Sequence, residues 1–224
     1  MSRLRSTISI SLDGFAAGPD QSLEEPLGVG GERLHEWATS LAVFHEIHGE
    51  DDTAGEVNAS TDVVRGWWDN VGAAVMGRNM FGGGPGPWRG DWRGWWGEDP
   101  PYHVPVFVLT HHPREPLEMQ GGTSFHFVTG GIEEALERAT AAAEGKDVWL
   151  TGGASVIRQY LRAGLLDEIE ISLAPVFLGR GERPFADLDG SGIELEQIRA
   201  VEAPGVTHIK YRVERNGSEG RRSS

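Results

Sequence analysis

Residues 3–12 (RLRSTISISL) alternate between polar and apolar positions and are rich in β-branched side chains, which predicts a first strand. Asp13-Gly14 ends it, and residues 17–31 are a run of Gly, Pro and acid that reads as a long loop. Between residues 32 and 48 the apolar positions Leu34, Trp37, Ala38, Leu41, Phe44 and Ile47 recur at helical spacing, so one amphipathic helix is expected there. Residues 50–60 are acidic and turn-like, and Thr61-Asp62 is placed to cap a short helix reaching Trp68.

From there strands and helices alternate. Short apolar runs at 73–76, 104–109 and 124–128 predict buried strands. Residues 132–143 (IEEALERATAAA) predict a helix, with Glu133 and Glu134 in the turn where the helix dipole favours negative charge, and Gly145-Lys146 stops it. A strand at 148–150, a helix at 154–163 and a strand at 168–173 follow, and residues 193–201 and 207–214 form a closing antiparallel pair. Strands alternating with helices over short connections imply an α/β fold with a mainly parallel sheet covered on both faces. No linker interrupts the pattern, so one domain is expected over residues 1–214, with a polar, frayed tail over 215–224.

One segment has no periodicity. Residues 82–101 (GGGPGPWRGDWRGWWGEDPP) hold four Trp among glycines and prolines. Two readings stay open: a rigid surface loop or dimer contact that uses Trp as its own packing, and an aromatic wall over a ligand pocket.

Charge narrows the function classes. With 34 acidic and 20 basic side chains the formal charge is −14, against a nucleic-acid binder or a protein that docks on anionic membranes. Eleven acids and one base, Arg33, fall between Asp20 and Asp62, which reads as a solvated face or, less simply, as a site for a cationic group. No apolar run approaches the ~18 residues of a membrane-spanning helix, and residues 1–11 alternate instead of forming a signal peptide's apolar core. The absence of cysteine removes disulfides, thiolate metal sites and cysteine nucleophiles. A cytoplasmic protein is expected.

Three strand ends carry groups that suit an anion. In VWLTGGAS (148–155) a strand runs into Gly152-Gly153 and a helix begins at once, so backbone N–H groups and the positive end of a helix dipole meet there. A plain tight turn is the competing reading. In AVMGRNM (74–80) Arg78 follows the carboxyl end of a strand, where ligands bind in open α/β sheets. In VFVLTHHPR (106–114) the strand ends in a hydroxyl, two imidazoles and an arginine. Their convergence in an acidic chain points to a phosphorylated ligand. His45 and His48, three apart beside acids, suit a metal site or simply an exposed helix end.

The order ISLDGFAAGPD, VMGRNMF, VFVLTHHP, VWLTGGASVIRQYL, LAPVFLGRGERPF resembles the dihydrofolate reductase-like superfamily over residues 3–213. Within it the chain is similar to the reductase domain of bacterial riboflavin biosynthesis proteins (the RibD C-terminal domain) and its single-domain relatives. The resemblance implies an eight-stranded, mostly parallel sheet and an NADPH-dependent reductase. By position it assigns Gly77 and Arg78 to the adenine-side phosphates, and Thr110 and His111, with His112 beside them, to the 2′-phosphate. It assigns Gly152, Gly153, Ala154 and Ser155 to the diphosphate turn, where relatives have a cis Gly-Gly bond, and the Ala17 backbone to the carboxamide. Relatives usually carry Thr two positions after the arginine; here Met80 stands there, and one hydroxyl contact is lost.

The substrate side is thinner. Asp62 matches the carboxylate that holds the pterin in dihydrofolate reductases, or is a plain helix cap. Asp13 either contacts substrate or closes a turn. Trp37, Leu178 and Gly179 complete the expected pocket for a small heteroaromatic (pyrimidine- or pterin-like) or carbonyl substrate. The rival readings are the reductase that acts on 5-amino-6-(5-phosphoribosylamino)uracil in riboflavin biosynthesis, and a non-catalytic nucleotide-binding or interaction protein. A homodimer is expected, from the relatives and from eight Trp that seek burial.

Overall fold

The computed structural model describes residues 2–49, 55–188 and 192–215. The expected tail lies, apart from Arg215, outside the described residues, as do Glu50, Asp51 and Asp52 of the acidic stretch.

In chain order, β1 (Leu4–Ser11) leads through a long loop and a single 3₁₀ turn (Gly31–Leu34) into α1 (Glu36–Thr39), α2 (Ala42–Ile47) and α3 (Ala59–Arg65). Then come β2 (Val71–Gly77), α4 (Arg78–Phe81), β3 (Pro105–Leu109), the two-residue β4 (Leu117–Glu118) and β5 (Ser124–Val128). After α5 (Ile132–Ala142), β6 (Asp147–Gly152), α6 (Ala154–Ala163) and β7 (Glu168–Ala174), the chain closes with β8 (Ile193–Ala203) and β9 (Val206–Arg215).

The strands form one sheet in the order β4-β5-β3-β2-β6-β1-β7-β9-β8. Its six central strands, from β5 to β7, run parallel, so the carboxyl ends of β1, β2, β3 and β6 open at the same edge. Among the described residues the sheet has nine strands where eight were expected; the short edge strand β4, antiparallel to β5, is easily missed in a sequence because two residues carry no period.

Period-two alternation splits β2 between two cores. Ala73 and Val75 face the layer made by α5 and α6, with Ile157 and Tyr160 fully buried against them. Ala74 and Met76 face the opposite layer, where Phe81, Phe125 and Phe127 meet the Trp-rich segment. That segment does the work of a helical layer. It is held by indole N–H groups, with Trp92 donating to the Phe81 carbonyl (3.0 Å) and Trp95 to the Met80 carbonyl (3.0 Å). Both carbonyls end the four-residue α4, whose last C=O groups have no partner within the helix. Among the described residues no helix is long and apolar enough to cross a membrane.

The helix expected over 32–48 is broken. Leu41 is extended (ψ 137°) and bridges Glu56, with Ala42 N–H donating to the Glu56 carbonyl and Glu56 N–H to the Ser40 carbonyl. The cap of α3 is also elsewhere. Asn58 accepts from Ser60 N–H (2.9 Å) in a capping box with Thr61, while Asp62 lies in the first helical turn.

Candidate functional site

A cavity of about 810 Å³ lies along the carboxyl ends of the central strands. All ten residues expected on the cofactor side line it: Ala17, Gly77, Arg78, Thr110, His111 and His112 from the first strand ends, and Gly152, Gly153, Ala154 and Ser155 from the turn before α6.

Local geometry explains why these positions converge. A side chain at Gly77 would come within 2.7 Å of Val156 in the first turn of α6, so only glycine lets the end of β2 approach that helix. The Gly152–Gly153 peptide bond is cis. The first N–H groups of the ten-residue α6 have no acceptor within the helix, so the turn presents donors to the cavity. Thr110, at the end of β3, accepts from His112 N–H (3.1 Å), which folds the strand end back on itself. Ala17 is held by the loop after β7: its carbonyl accepts from Glu182 N–H (3.0 Å), while Ala16 N–H donates to the Glu182 carbonyl (2.8 Å).

Arg78 is the cation of this end. Its guanidinium carbon stands 3.0 Å from the Trp88 ring centroid, and Nη2 donates to the Gly84 carbonyl (2.9 Å). Nε and Nη1 are enclosed without a hydrogen-bond partner. Burial, and then the nearby Arg114 guanidinium, lower its pKa to about 10. Arg114 approaches the same indole (4.8 Å), and Trp88 donates to the His112 carbonyl (2.8 Å). An enclosed guanidinium with two unspent nitrogens, beside a row of backbone donors, fits a phosphoryl ligand such as a dinucleotide. Met80 lies at this turn too: it receives a long contact from the Thr151 hydroxyl (3.4 Å), and its sulfur would sit 3.3 Å from a side chain at Gly152.

The five residues expected on the substrate side do not line this cavity. Asp13 closes a turn. It accepts from Ser11 Oγ (2.6 Å), Leu178 N–H (3.1 Å) and Gly179 N–H (2.7 Å), which ties the end of β1 to the loop after β7 and accounts for Leu178 and Gly179 as well. The Ser11 bond, with those two backbone donors, holds the Asp13 carboxyl at about 2. Asp62 is exposed on α3. Trp37 is buried, donates to the Leu34 carbonyl (2.9 Å) and packs edge-on against His208 (4.8 Å).

The wall beyond Ala17 is instead aromatic. Trp67 and Trp68 (ring centroids 6.1 Å apart), Trp149 (4.9 Å from Trp68), Tyr102 (6.2 Å from Trp149) and Trp96 (5.1 Å from Tyr102) form a continuous arc. His35 and Phe44 join it from the broken helical segment. Burial lowers the His35 pKa, which favours the neutral imidazole. The segment 82–101 therefore combines both of its readings, packing under the sheet through Trp88 and Trp92 and lining the cavity through Trp95 and Trp96. Phe44 was visible in a helical spacing, but no spacing rule joins it or Trp67-Trp68 to Trp149, 81 positions beyond Trp68.

Comparison with known proteins agrees with this fold. The family model of the RibD C-terminal domain matches residues 3–207. The chain is 41% identical over 119 residues to the uncharacterized protein YyaP of Bacillus subtilis (strain 168), a match covering 51% of this chain and 62% of that one. A provisionally assigned riboflavin biosynthesis protein from Shewanella sp. PV-4 has the same fold, with a TM-score of 0.61 at 22% identity over 95% of this chain and 99% of that one. Dihydrofolate reductase from Enterococcus faecalis, complexed with NADP(H), also shares it, with a TM-score of 0.52 at 16% identity over 96% of each chain.

Proposed function

The chain belongs to the RibD C-terminal domain family, and on that premise we propose that it is an NADPH-dependent reductase of a small heteroaromatic or carbonyl compound. The observation that carries the reading is the Arg78 guanidinium, enclosed with Nε and Nη1 unpartnered in the wall of a cavity that the Gly152-Gly153 turn also lines. The cofactor, when bound, supplies a hydride.

The chain's own groups supply the rest. Arg78 and the first N–H groups of α6 bind phosphate oxygens, and the Thr110 hydroxyl stands at the neighbouring strand end for a further one. Ala17, fixed by its own backbone bond and that of Ala16 to Glu182, orients the reactive end against the strand edge. The indole arc excludes water from the space beyond, which strengthens every polar contact inside and fixes the acceptor's plane. Met80 removes one hydroxyl from the phosphate side, so cofactor affinity falls below what a threonine there would give.

Titration with NADPH and NADH, read as fluorescence transfer from tryptophan to nicotinamide, tests the proposal. Saturable, NADPH-selective binding followed by NADPH consumption with carbonyl and C=N ring compounds is the expected result. Tight binding with no turnover across such a panel would favour a nucleotide-binding protein without catalysis. Absence of binding for both cofactors up to millimolar concentration would sink the reductase.

A further inference from the structure

The far end of the cavity shows what the acceptor must look like. Three of its indoles have already spent their N–H groups: Trp149 donates to Thr7 Oγ1 (3.1 Å), Trp68 to the Pro101 carbonyl (2.9 Å) and Trp95 to the Met80 carbonyl (3.0 Å). What these three offer a ligand is ring surface, whose electron-rich faces favour a flat, electron-poor partner.

Charge is missing where an anionic substrate would need it. Among the described residues that line the cavity, Arg78 is the one guanidinium and there is no ammonium. A smaller cavity of about 300 Å³ shares Thr7, Trp67 and Trp149 with the large one and does contain Arg5, Arg199 and Lys210. Those cations are already engaged. Arg199 pairs with Glu170 (2.9 Å), Lys210 with Glu168 (2.7 Å), and Arg5 with Asp147 (3.7 Å) and the carbonyls of Gly66 and Trp67. A phosphate entering there would have to displace a buried carboxylate from its partner.

From this we infer that the indole-lined end selects an uncharged, phosphate-free planar ring, stacked against Trp68 and Trp149 and met at one polar edge by His35. The assignment rests on the reductase reading, because it takes the glycine-lined end as the place of the nicotinamide dinucleotide. It parts from a phosphoribosyl substrate, whose dianionic tail finds no free cation here.

Isatin and isatin-5-sulfonate make a matched pair of probes, one neutral and one anionic on the same planar dicarbonyl ring. Each is titrated into the protein alone and into the protein saturated with NADPH, following tryptophan quenching. The expected result is isatin binding at least tenfold tighter than the sulfonate. Trp68→Ala should weaken isatin about tenfold. Because that variant removes a packed ring, Phe44→Arg provides a second arm: it adds a cation to the half-buried wall and should turn the preference toward the sulfonate. Equal or tighter binding of the sulfonate to the unaltered protein overturns the inference, and so does the lack of saturable isatin binding. NADPH is titrated separately, so a failed cofactor reading and a failed substrate class give different results.

Discussion

The two ends of the cavity are built from different materials. At the glycine-lined end the wall is backbone, supplied by the termini of parallel strands and the first turn of α6, with one enclosed guanidinium beside it. At the indole end the wall is side chain, supplied by a broken helical segment and an aperiodic loop packed over the sheet. Backbone donors recognise phosphate whatever the surrounding side chains are, so that end suits a ligand common to many proteins. A wall of side chains is specific to this chain. The difference predicts that damage at one end reads out as lost cofactor binding and damage at the other as lost stability and altered substrate choice.

Trp149→Ala should give the largest effect. The ring is buried, receives Trp68 at 4.9 Å and anchors its N–H on Thr7, so truncation leaves a cavity at the centre of the arc. A loss of about 4 kcal/mol of unfolding free energy is expected from large-to-small core substitutions of this kind. Denaturant unfolding measures it, and NADPH affinity of the folded fraction should stay within about twofold, since a packing change moves few phosphate contacts. A collapse of NADPH affinity with unchanged stability would erase the division between the two ends.

Arg78→Ala is the converse. Removing a charge-assisted contact to phosphate costs about 2–3 kcal/mol, or roughly 30- to 150-fold in the NADPH dissociation constant. Stability should change little, because among the described residues the guanidinium has no carboxylate partner, and loss of its contacts with Trp88 and the Gly84 carbonyl is offset by relief of its repulsion with Arg114. NADPH titration with a parallel thermal melt checks both halves.

The same division decides what could be read from sequence. Strand β5 and helix α6 fall on their expected bounds, and β1, β3, β7 and α5 are within two residues of theirs, because period and glycine stops are local properties. The residues of the glycine-lined end, Ala17 apart, were legible for the same reason, since each sits next to a strand end that its own apolar run announces. Leu41 was not, because its extended backbone is imposed by pairing with Glu56, 15 positions away, against a good helical spacing. Asp13 illustrates the limit for sites. Its acid in a turn is compatible with substrate or with structure, and only the Leu178 and Gly179 amides, 165 and 166 positions on, decide for structure. The indole arc was out of reach altogether, as it joins three separate segments through ring contacts that leave no periodic trace.

A pH dependence of stability should originate behind the indole end. His208 is buried between two hydroxyls, Ser60 at Nε2 and Ser172 at Nδ1 (2.9 Å each), and supports Trp37 edge-on. Burial, with a smaller contribution from Arg199, lowers its pKa to about 4. Below the ordinary value near 6.5 the unfolded chain takes up a proton that the folded chain refuses, so stability is full above that pH and falls until about pH 4. Allowing for screening at the sheet surface, roughly 2 kcal/mol should be lost from this group. Unfolding free energies between pH 7 and pH 4 should fall less steeply, by about that amount, in His208→Gln than in the unaltered protein. Parallel slopes for the two proteins would locate the dependence elsewhere.

Met80→Thr is the smallest change and the one that tests the glycine-lined end by improving it. The Met80 sulfur accepts from the Thr151 hydroxyl at 3.4 Å and lies against the Gly152 turn, so a threonine places a hydroxyl where the phosphates are proposed to lie. A neutral hydrogen bond contributes about 1 kcal/mol net, which corresponds to roughly fivefold tighter NADPH binding. The exchange also gives up thioether packing against Trp-lined surface, costing some stability, so affinity and melting temperature should move in opposite directions. NADH should gain as much as NADPH, because the new hydroxyl faces the diphosphate that both share and not the 2′-phosphate that distinguishes them. A gain confined to NADPH would move Met80 toward the 2′-phosphate and exchange the places of Thr110 and the Gly152 turn in the assignment of the strand ends.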